Sequence, residues 1–322
     1  MPLGERSGLK PAEQMRKYLG EALLEAAREN PQVVVLDGDL SNSTGASTVR
    51  EAFPERFFNM GIAESNMVSV SAGLAACGYI PFATSLTTFL LCNAYDQIRL
   101  SVAIAGLNVK LAGSHSGLTT GREGPSSMSI EDFSLLGGLP TFTILVPSDP
   151  IMMRKAVKAA VEHVGPVFIR SSREAMPYIY DENAPFAIGK ANLLRQGKDV
   201  TIIACGLMVA VALDAALILA EEGIQARVLD MHTLRPLDDA AIKAAAWETG
   251  AIVTAEEQLI RGGMGSAVAQ VLAECCPTPM RFVGLKDEYP CSGSLEELMR
   301  KYHLMPEDVA KAARQAIAAK VR

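Results

Sequence analysis

The sequence has no surplus of positive charge. Its 30 Lys and Arg residues against 36 Asp and Glu give a net charge of −6. Nucleic-acid binders carry a basic face that neutralises phosphates, so general nucleic-acid binding is excluded. Aromatic residues are scarce, at 6% with a single Trp, and the core must be built from Ala, Val, Leu, Ile and Met. No uncharged apolar run reaches the ~18 residues that span a bilayer, and Met1 to Lys10 lack the apolar stretch of a secretory leader. A cytoplasmic protein without membrane contact is expected. Cys77, Cys92, Cys205, Cys275, Cys276 and Cys291 make no CxxC pair and no zinc spacing; they read as small hydrophobes, and no metal ligand set is expected on this chain. Internal repeats and low-complexity tracts are missing too. A hydrophobic share of 49% with 20% charged residues excludes wholesale disorder.

What is present is a rhythm. Short apolar runs end in polar residues: Val33 to Leu36 before Asp37-Gly-Asp39, Val109 to Ala112 before Gly113-Ser-His115, Phe142 to Val146 before Pro147-Ser-Asp149, and Val167 to Ile169 before Arg170-Ser-Ser-Arg173. Helical stretches separate them. Such alternation predicts βα units and a mainly parallel sheet, whose ligands bind beyond the carboxyl ends of the strands. A second set of runs follows at Val200–Ala204, Ala226–Leu229, Ala251–Thr254 and Arg281–Leu285. Tyr180 to Gly197, with Pro185 and Gly189, interrupts the rhythm and reads as a linker. Two α/β domains are expected, over residues 10–182 and 190–322.

Three segments could carry chemistry. Gly113 to Ser127 is rich in glycine and hydroxyl residues and holds His115, Arg122 and Glu123. Such a loop can bring backbone close to a ligand, although no Gly-Lys-Ser/Thr follows and it is not a P-loop. In Phe57 to Met67, Glu64 stands before a small, apolar helix. Desolvation disfavours a charged carboxyl, which suits proton exchange or a strong hydrogen bond to a ligand nitrogen; the plain alternative is an acid at a helix start. Thr84 to Arg99 contains Phe89 and Tyr95, as readily core as stacking platform. Arg261-Gly-Gly-Met-Gly265 lacks the context of a dinucleotide fingerprint. It is assigned, with Glu256-Glu-Gln258, to turn and helix-start geometry. His232 and His303 are assigned to packing and surface.

Together these segments resemble the carboxyl-terminal half of transketolase. The resemblance rests on Met15-Arg-Lys, Leu36-Asp-Gly-Asp, Asn42-Ser-Thr44, Gly61-Ile-Ala-Glu-Ser-Asn-Met67, Tyr95-Asp-Gln-Ile-Arg99, Gly113-Ser-His-Ser-Gly117, Glu123-Gly-Pro-Ser126, Val146-Pro-Ser-Asp149 and Phe168-Ile-Arg-Ser-Ser-Arg173, in order along nearly the whole chain. It implies a doubly wound parallel domain of the pyrimidine-binding type for thiamine diphosphate, then a smaller α/β domain of the transketolase C-terminal type. By resemblance, Glu64 bonds the cofactor's pyrimidine and is catalytic, Phe89 stacks on that ring, and Asp39 faces the thiazolium. Leu86 stands where a second Phe is usual. His115 is implied as catalytic and as a contact to substrate, and Arg16, Ser43 and Arg173 as a sugar-phosphate grip. The family's diphosphate motif, Gly-Asp-Gly followed by Asn, does not occur here. Mg²⁺ and the diphosphate grip are therefore expected on an amino-terminal partner subunit, in a two-plus-two heterotetramer acting on sugars of the pentose phosphate type.

The departures lie in one loop. Gly121-Arg-Glu-Gly-Pro-Ser126 stands where the family commonly reads Gly-Glu-Asp-Gly-Pro, and Ser127 where His or Gln is usual. Glu123 reaches one methylene further toward a sugar than Asp would. The expectation is an altered preference, for a branched, sulfonated or otherwise unusual sugar. Rival readings are the β chain of a 2-oxo acid dehydrogenase E1 component, a deoxyxylulose-phosphate synthase, and a non-catalytic scaffold subunit. The Gly113–Ser126 loop and the Arg16, Ser43 and Arg173 set argue against the first, and a retained Glu64 with Phe89 against the last.

Overall fold

Val33-Val-Val-Leu36 has apolar side chains in unbroken succession, the mark of a strand covered on both faces. In the computed structural model, which describes residues 3–320, it forms β1 (Val33–Asp37), buried throughout. The other strands are β2 (Phe57–Asn59), β3 (Ile80–Leu86), β4 (Lys110–Ser114), β5 (Thr143–Leu145), β6 (Val167–Arg170), β7 (Asn192–Arg195), β8 (Val200–Ala204), β9 (Ala226–Asp230), β10 (Thr233–Arg235), β11 (Ile252–Leu259) and β12 (Met280–Leu285). They make two sheets, ordered β10-β5-β6-β4-β3-β1-β2 and β12-β11-β8-β9-β7. Pairing is parallel except at β10–β5 and β7–β9. The protein is thus α/β with two mostly parallel sheets.

Three features differ from the sequence reading. The stretch read as a linker contains β7, an antiparallel edge strand on β9. Strand β10 follows β9 in sequence yet pairs with β5 and completes the first sheet, tying the two halves together. Glu256, Glu257 and Gln258 form no turn but the buried end of β11, while Glu256 does serve the expected helix start by accepting from Met264 N and Gly265 N. A hydrophobic run that stops at Thr254 hides this, because the strand continues through acids whose charges are met by partners from elsewhere in the chain.

The core is continuous across the sheets. Ile144, Val146 and Phe168 of the first pack in one cluster with Ile203 and Leu229 of the second. The helix Glu64–Ala76 has the sequence ESNMVSVSAGLAA, small or apolar on every face, yet Ser69, Val70, Gly73 and Ala76 are exposed. Beside its start, Ile62 is 85% exposed. An apolar helix left half bare is unusual on a globular domain. Among the described residues, no helix is long and apolar enough to cross a membrane.

Candidate active site

The carboxyl ends of β1, β3, β4 and β6 lie side by side, because these strands are neighbours and parallel. Glu64 opens its helix beside them. Residue 63 has non-helical angles and gives no side-chain cap, so the first turn's N–H groups and the helix dipole face an acid, a favourable arrangement. Its side chain is buried, and Oε1 accepts a hydrogen bond from Ser85 Oγ at 3.1 Å. Asn93 Nδ2 stands 3.5 Å from Oε2, a weak contact. A carboxyl offers about four lone-pair directions, so Glu64 has capacity for a further partner. The space in front of it is kept by Gly38: a Cβ there would stand 3.2 Å from Ser85 Oγ and 3.4 Å from Glu64 Oε1. Phe89 sits half-buried on the helix Thr87–Cys92, joined to this corner through Asn93, whose carbonyl accepts from Ser65 Oγ at 2.6 Å. Leu86 is buried at the end of β3.

The two aspartates of Asp37-Gly-Asp39 part ways. Asp37 is buried and accepts from Leu40 N, Thr44 Oγ1 and Thr84 Oγ1 at 2.6, 3.0 and 2.7 Å. Burial pushes its carboxyl above the usual range despite these bonds. It shapes the turn after β1. Asp39 is exposed, takes a left-handed φ of 65° and accepts from Asn59 Nδ2 at 2.9 Å. Asp149, another polar residue at a strand end, is likewise structural. It caps the helix Pro150–Glu162 and accepts from Ile179 N and Tyr180 N.

His115 follows β4 with a φ of 58°, also left-handed. Non-glycine residues in that region cost energy and concentrate at functional sites. The imidazole is buried, with Nδ1 2.9 Å from Ser114 Oγ. Burial first, then the nearby Arg173 and Arg16 guanidiniums, lower its pKa to about 4, so it is neutral at pH 7. Arg16 and Arg173 are distant in sequence. The antiparallel bridge Gln14–Ala175, two residues from each, brings them together. Ser43 lies on the short helix Ser41–Thr44, whose following Gly45 packs on the Arg16 carbonyl so closely that a Cβ would stand 2.1 Å from its oxygen. Arg173 Nη1 donates to Thr120 O at 3.2 Å, and Nη2 pairs with exposed Glu123 at 3.3 Å. Ser127 is half-buried, with its carbonyl 3.3 Å from Thr120 Oγ1. One sheet edge thus holds an acid corner around Glu64 and a basic corner around His115.

Sequence reasoning missed the residues that hold these in place. Ser85 and Asn93 gave no signal beyond being polar in an apolar stretch. Arg170 reads as one of two loop arginines, but it is buried between Asp132 and Glu257, with Nε 3.1 Å from Asp132 Oδ2 and Nη1 2.9 Å from Glu257 Oε1. A cleft of about 750 Å³ beside Pro140, His163 and Arg235 is not lined by any of these site residues. Among the described residues, no group of three or more His, Cys, Asp or Glu could hold a metal.

Comparison with known proteins places the chain in a family. Residues 12–178 match the transketolase pyrimidine-binding domain and 189–309 the transketolase C-terminal domain. The chain is 43% identical over 301 residues to a 6-deoxy-6-sulfo-D-fructose transketolase subunit of Clostridium, with 94% of both chains covered. It is 38% identical to a subunit of the apulose-4-phosphate transketolase of Phocaeicola vulgatus, over 92% of this chain and 96% of that one. A solved split-gene transketolase, an inactive β4 tetramer, superposes with a TM-score of 0.91 at 44% identity, covering 96% of this chain and 100% of that one. The chain belongs to the transketolase family, with the domain content of the carboxyl-terminal subunit of a split transketolase. Thiamine diphosphate is that family's cofactor.

Proposed function

We propose that this subunit transfers a two-carbon ketol unit from a ketose to an aldose phosphate, once an amino-terminal partner supplies Mg²⁺ and the grip on the cofactor's diphosphate. One observation carries the reading: a Glu64 carboxyl with an unengaged lone pair shares a sheet edge with a neutral His115 flanked by two arginines. Glu64, Phe89 and Leu86 would hold the cofactor's aminopyrimidine end, with Asp39 toward the thiazolium, and a side chain on residue 38 would crowd Glu64. Bound there, thiamine diphosphate supplies a carbon nucleophile for ketose carbonyls.

The chain's own residues do the rest. The buried Glu64 carboxyl would share a proton with a ring nitrogen of the cofactor, donating through its O–H when protonated. His115, uncharged at pH 7, exchanges a proton with a sugar hydroxyl without adding to the charge of its two arginine neighbours. Arg16 and Arg173 offer charged, directional donors to a dianion, and Ser43 adds a hydroxyl. A phosphate or a sulfonate meets these donors. Glu123 must yield Arg173 to the incoming anion, so the loop with Arg122, Glu123 and Ser127 couples anion binding to sugar choice. Exposed Ile62 and the bare face of the helix Glu64–Ala76 offer the partner an apolar surface beside the acid corner, in keeping with a heterotetramer.

The test is reconstitution with an amino-terminal partner and assay of ketol transfer from xylulose 5-phosphate, a branched ketose phosphate and a 6-sulfonated ketose. Transfer from the branched or sulfonated donor at higher kcat/KM is the expected result. Full ordinary activity on xylulose 5-phosphate with ribose 5-phosphate would overturn the altered preference. Decarboxylation of pyruvate without ketol transfer would overturn the whole reading.

A further inference from the structure

The C-terminal domain offers no group to the sheet edge just described, yet it touches the loop that carries His115 at several places. Glu257, at the end of β11, is 3% exposed and accepts from Arg170 Nη1 at 2.9 Å. Gly117, two residues after His115, sits directly on this pair: a Cβ there would stand 2.5 Å from Arg170 Nη2 and 2.7 Å from Glu257 Oε2. The Leu118 N–H also faces the Glu257 carboxylate. Next along β11, Gln258 Nε2 donates to Ser129 O at 3.3 Å, and Leu259 N donates to Ile130 O at 3.0 Å. The Ser129 carbonyl is in turn the acceptor for Gly117 N at 2.8 Å. Both ends of the loop are thereby fastened to one strand of the other domain. Its tip meets the same domain again, where a Cβ on Gly124 would stand 2.4 Å from Ser292 Oγ and one on Gly121 3.3 Å from Gly293 O.

We infer that Glu257 is a positioning residue for sugar binding: through Arg170 and the Gly117-Leu118 backbone, it fixes the loop that presents His115 and docks Arg173. The path onward is short. Thr120 Oγ1 donates to His115 O at 2.7 Å, and Arg173 donates from its backbone N to Thr119 Oγ1 at 3.1 Å and from Nη1 to Thr120 O at 3.2 Å. In Glu257→Ala, Arg170 keeps Asp132, but its Nη1 loses its acceptor and the side chain that Gly117 packs on is gone; a buried donor left without its partner destabilises the arrangement around it. The loop would then sample other positions, while the Glu64 corner, on the neighbouring strands and held by Ser85 and Asn93, stays as it is. The C-terminal domain thus acts on substrate recognition and not on the cofactor.

This inference rests on the sugar-binding reading, and hydrogen exchange separates the two. In Glu257→Ala, amide exchange across residues 117–130 rises about tenfold while that of the helix Glu64–Ala76 is unchanged, a local opening and not a global one. In the reconstituted enzyme, KM for the anionic sugar rises about tenfold, with kcat and the dissociation constant for thiamine diphosphate within about twofold. Glu257→Gln keeps the shape and the acceptor oxygen, and restores most of the loop's protection and of KM. If the alanine variant does not fold, the glutamine variant decides alone, by a smaller rise in exchange confined to 117–130. Unchanged exchange in that loop, or a rise shared equally with the helix Glu64–Ala76, overturns the positioning role whatever the enzyme's substrate. Raised exchange without any ketol transfer by the unmodified enzyme leaves the brace standing and overturns its link to sugar binding.

Discussion

Both sheets carry acids at or just beyond the carboxyl ends of their strands. On the second sheet these are Asp230, Glu256 and Glu257, and every one is engaged inside the chain. Asp230 Oδ2 accepts from Ser148 Oγ and Tyr180 OH at 2.6 and 2.7 Å. Glu256 accepts from Met264 N and Gly265 N at 2.7 and 2.8 Å and so starts the helix Met264–Cys275. Glu257 faces Arg170. On the first sheet Asp37 is engaged in the same manner, but Glu64 keeps capacity and Asp39 stays exposed. The same residue types at equivalent places therefore differ in what is left over for a ligand. An acid paired with a buried arginine, or receiving two or three short intramolecular bonds, holds the fold. One with a free lone pair in a dry corner is available for chemistry.

The contrast is broken most severely at Glu64. Glu64→Gln keeps the acceptor for Ser85, so the melting temperature moves by less than about 3 °C, while kcat of the reconstituted enzyme falls about 10²- to 10⁴-fold. Turnover left intact would make the free lone pair irrelevant and favour a scaffold role. Arg173→Ala removes charged donors from the basic corner and raises KM for the anionic sugar about 10- to 100-fold, the size of a hydrogen bond to a charged group; steady-state kinetics at fixed cofactor read it directly. Burial and the two arginines push the His115 imidazole pKa down to about 4, so the pH–rate profile should show no inflection from it between pH 5 and 8.

The engaged acids give a stability signature with a definite sign. Burial raises the Asp230 pKa to about 7, and its Oδ1 has no partner within the described residues. A folded value above the unfolded one means that the folded state holds the extra proton. The stability this contributes is full below about pH 4 and is lost as pH rises through 7. Asp230→Asn removes the titration, so its melting temperature should gain on the unmodified chain from pH 4 to 8, by an amount equivalent to about 1–3 kcal/mol. A constant difference across that range would mean Asp230 does not titrate there. The smallest effect is expected from Glu123→Gln, which frees Arg173 from an exposed ion pair worth at most ~1 kcal/mol. KM for the anionic sugar should fall about two- to fivefold.

Much of this was legible in advance, for identifiable reasons. The alternation of apolar runs with helices announced two mostly parallel α/β units, while the polar ends of those runs left site and solvated loop equally open. Glu64, His115 and Arg173 stood out because acids, histidines and arginines in such places are few. Local pattern is least informative where one residue type serves two ends. Asp37 and Asp39 look alike in the sequence, as do Arg170 and Arg173, and only burial and partners separate a brace from a free group. The reading failed at Glu257 and Gln258, where polarity argued for a turn, although the helix-start role given to this stretch holds for Glu256, and at β7 and β10, whose short edge pairing leaves little pattern.

Local order therefore decided which segments are strands and helices and which residue types arrive at the sheet edge, since period and side-chain branching act over a few residues. Long-range packing decided which charges are neutralised, which stay available, and that a strand of the second domain grips the His115 loop. Those outcomes depend on contacts between residues far apart in the chain, such as Gly117 with Glu257, about 140 positions apart, and desolvation and pairing exist only once the chain has closed around them.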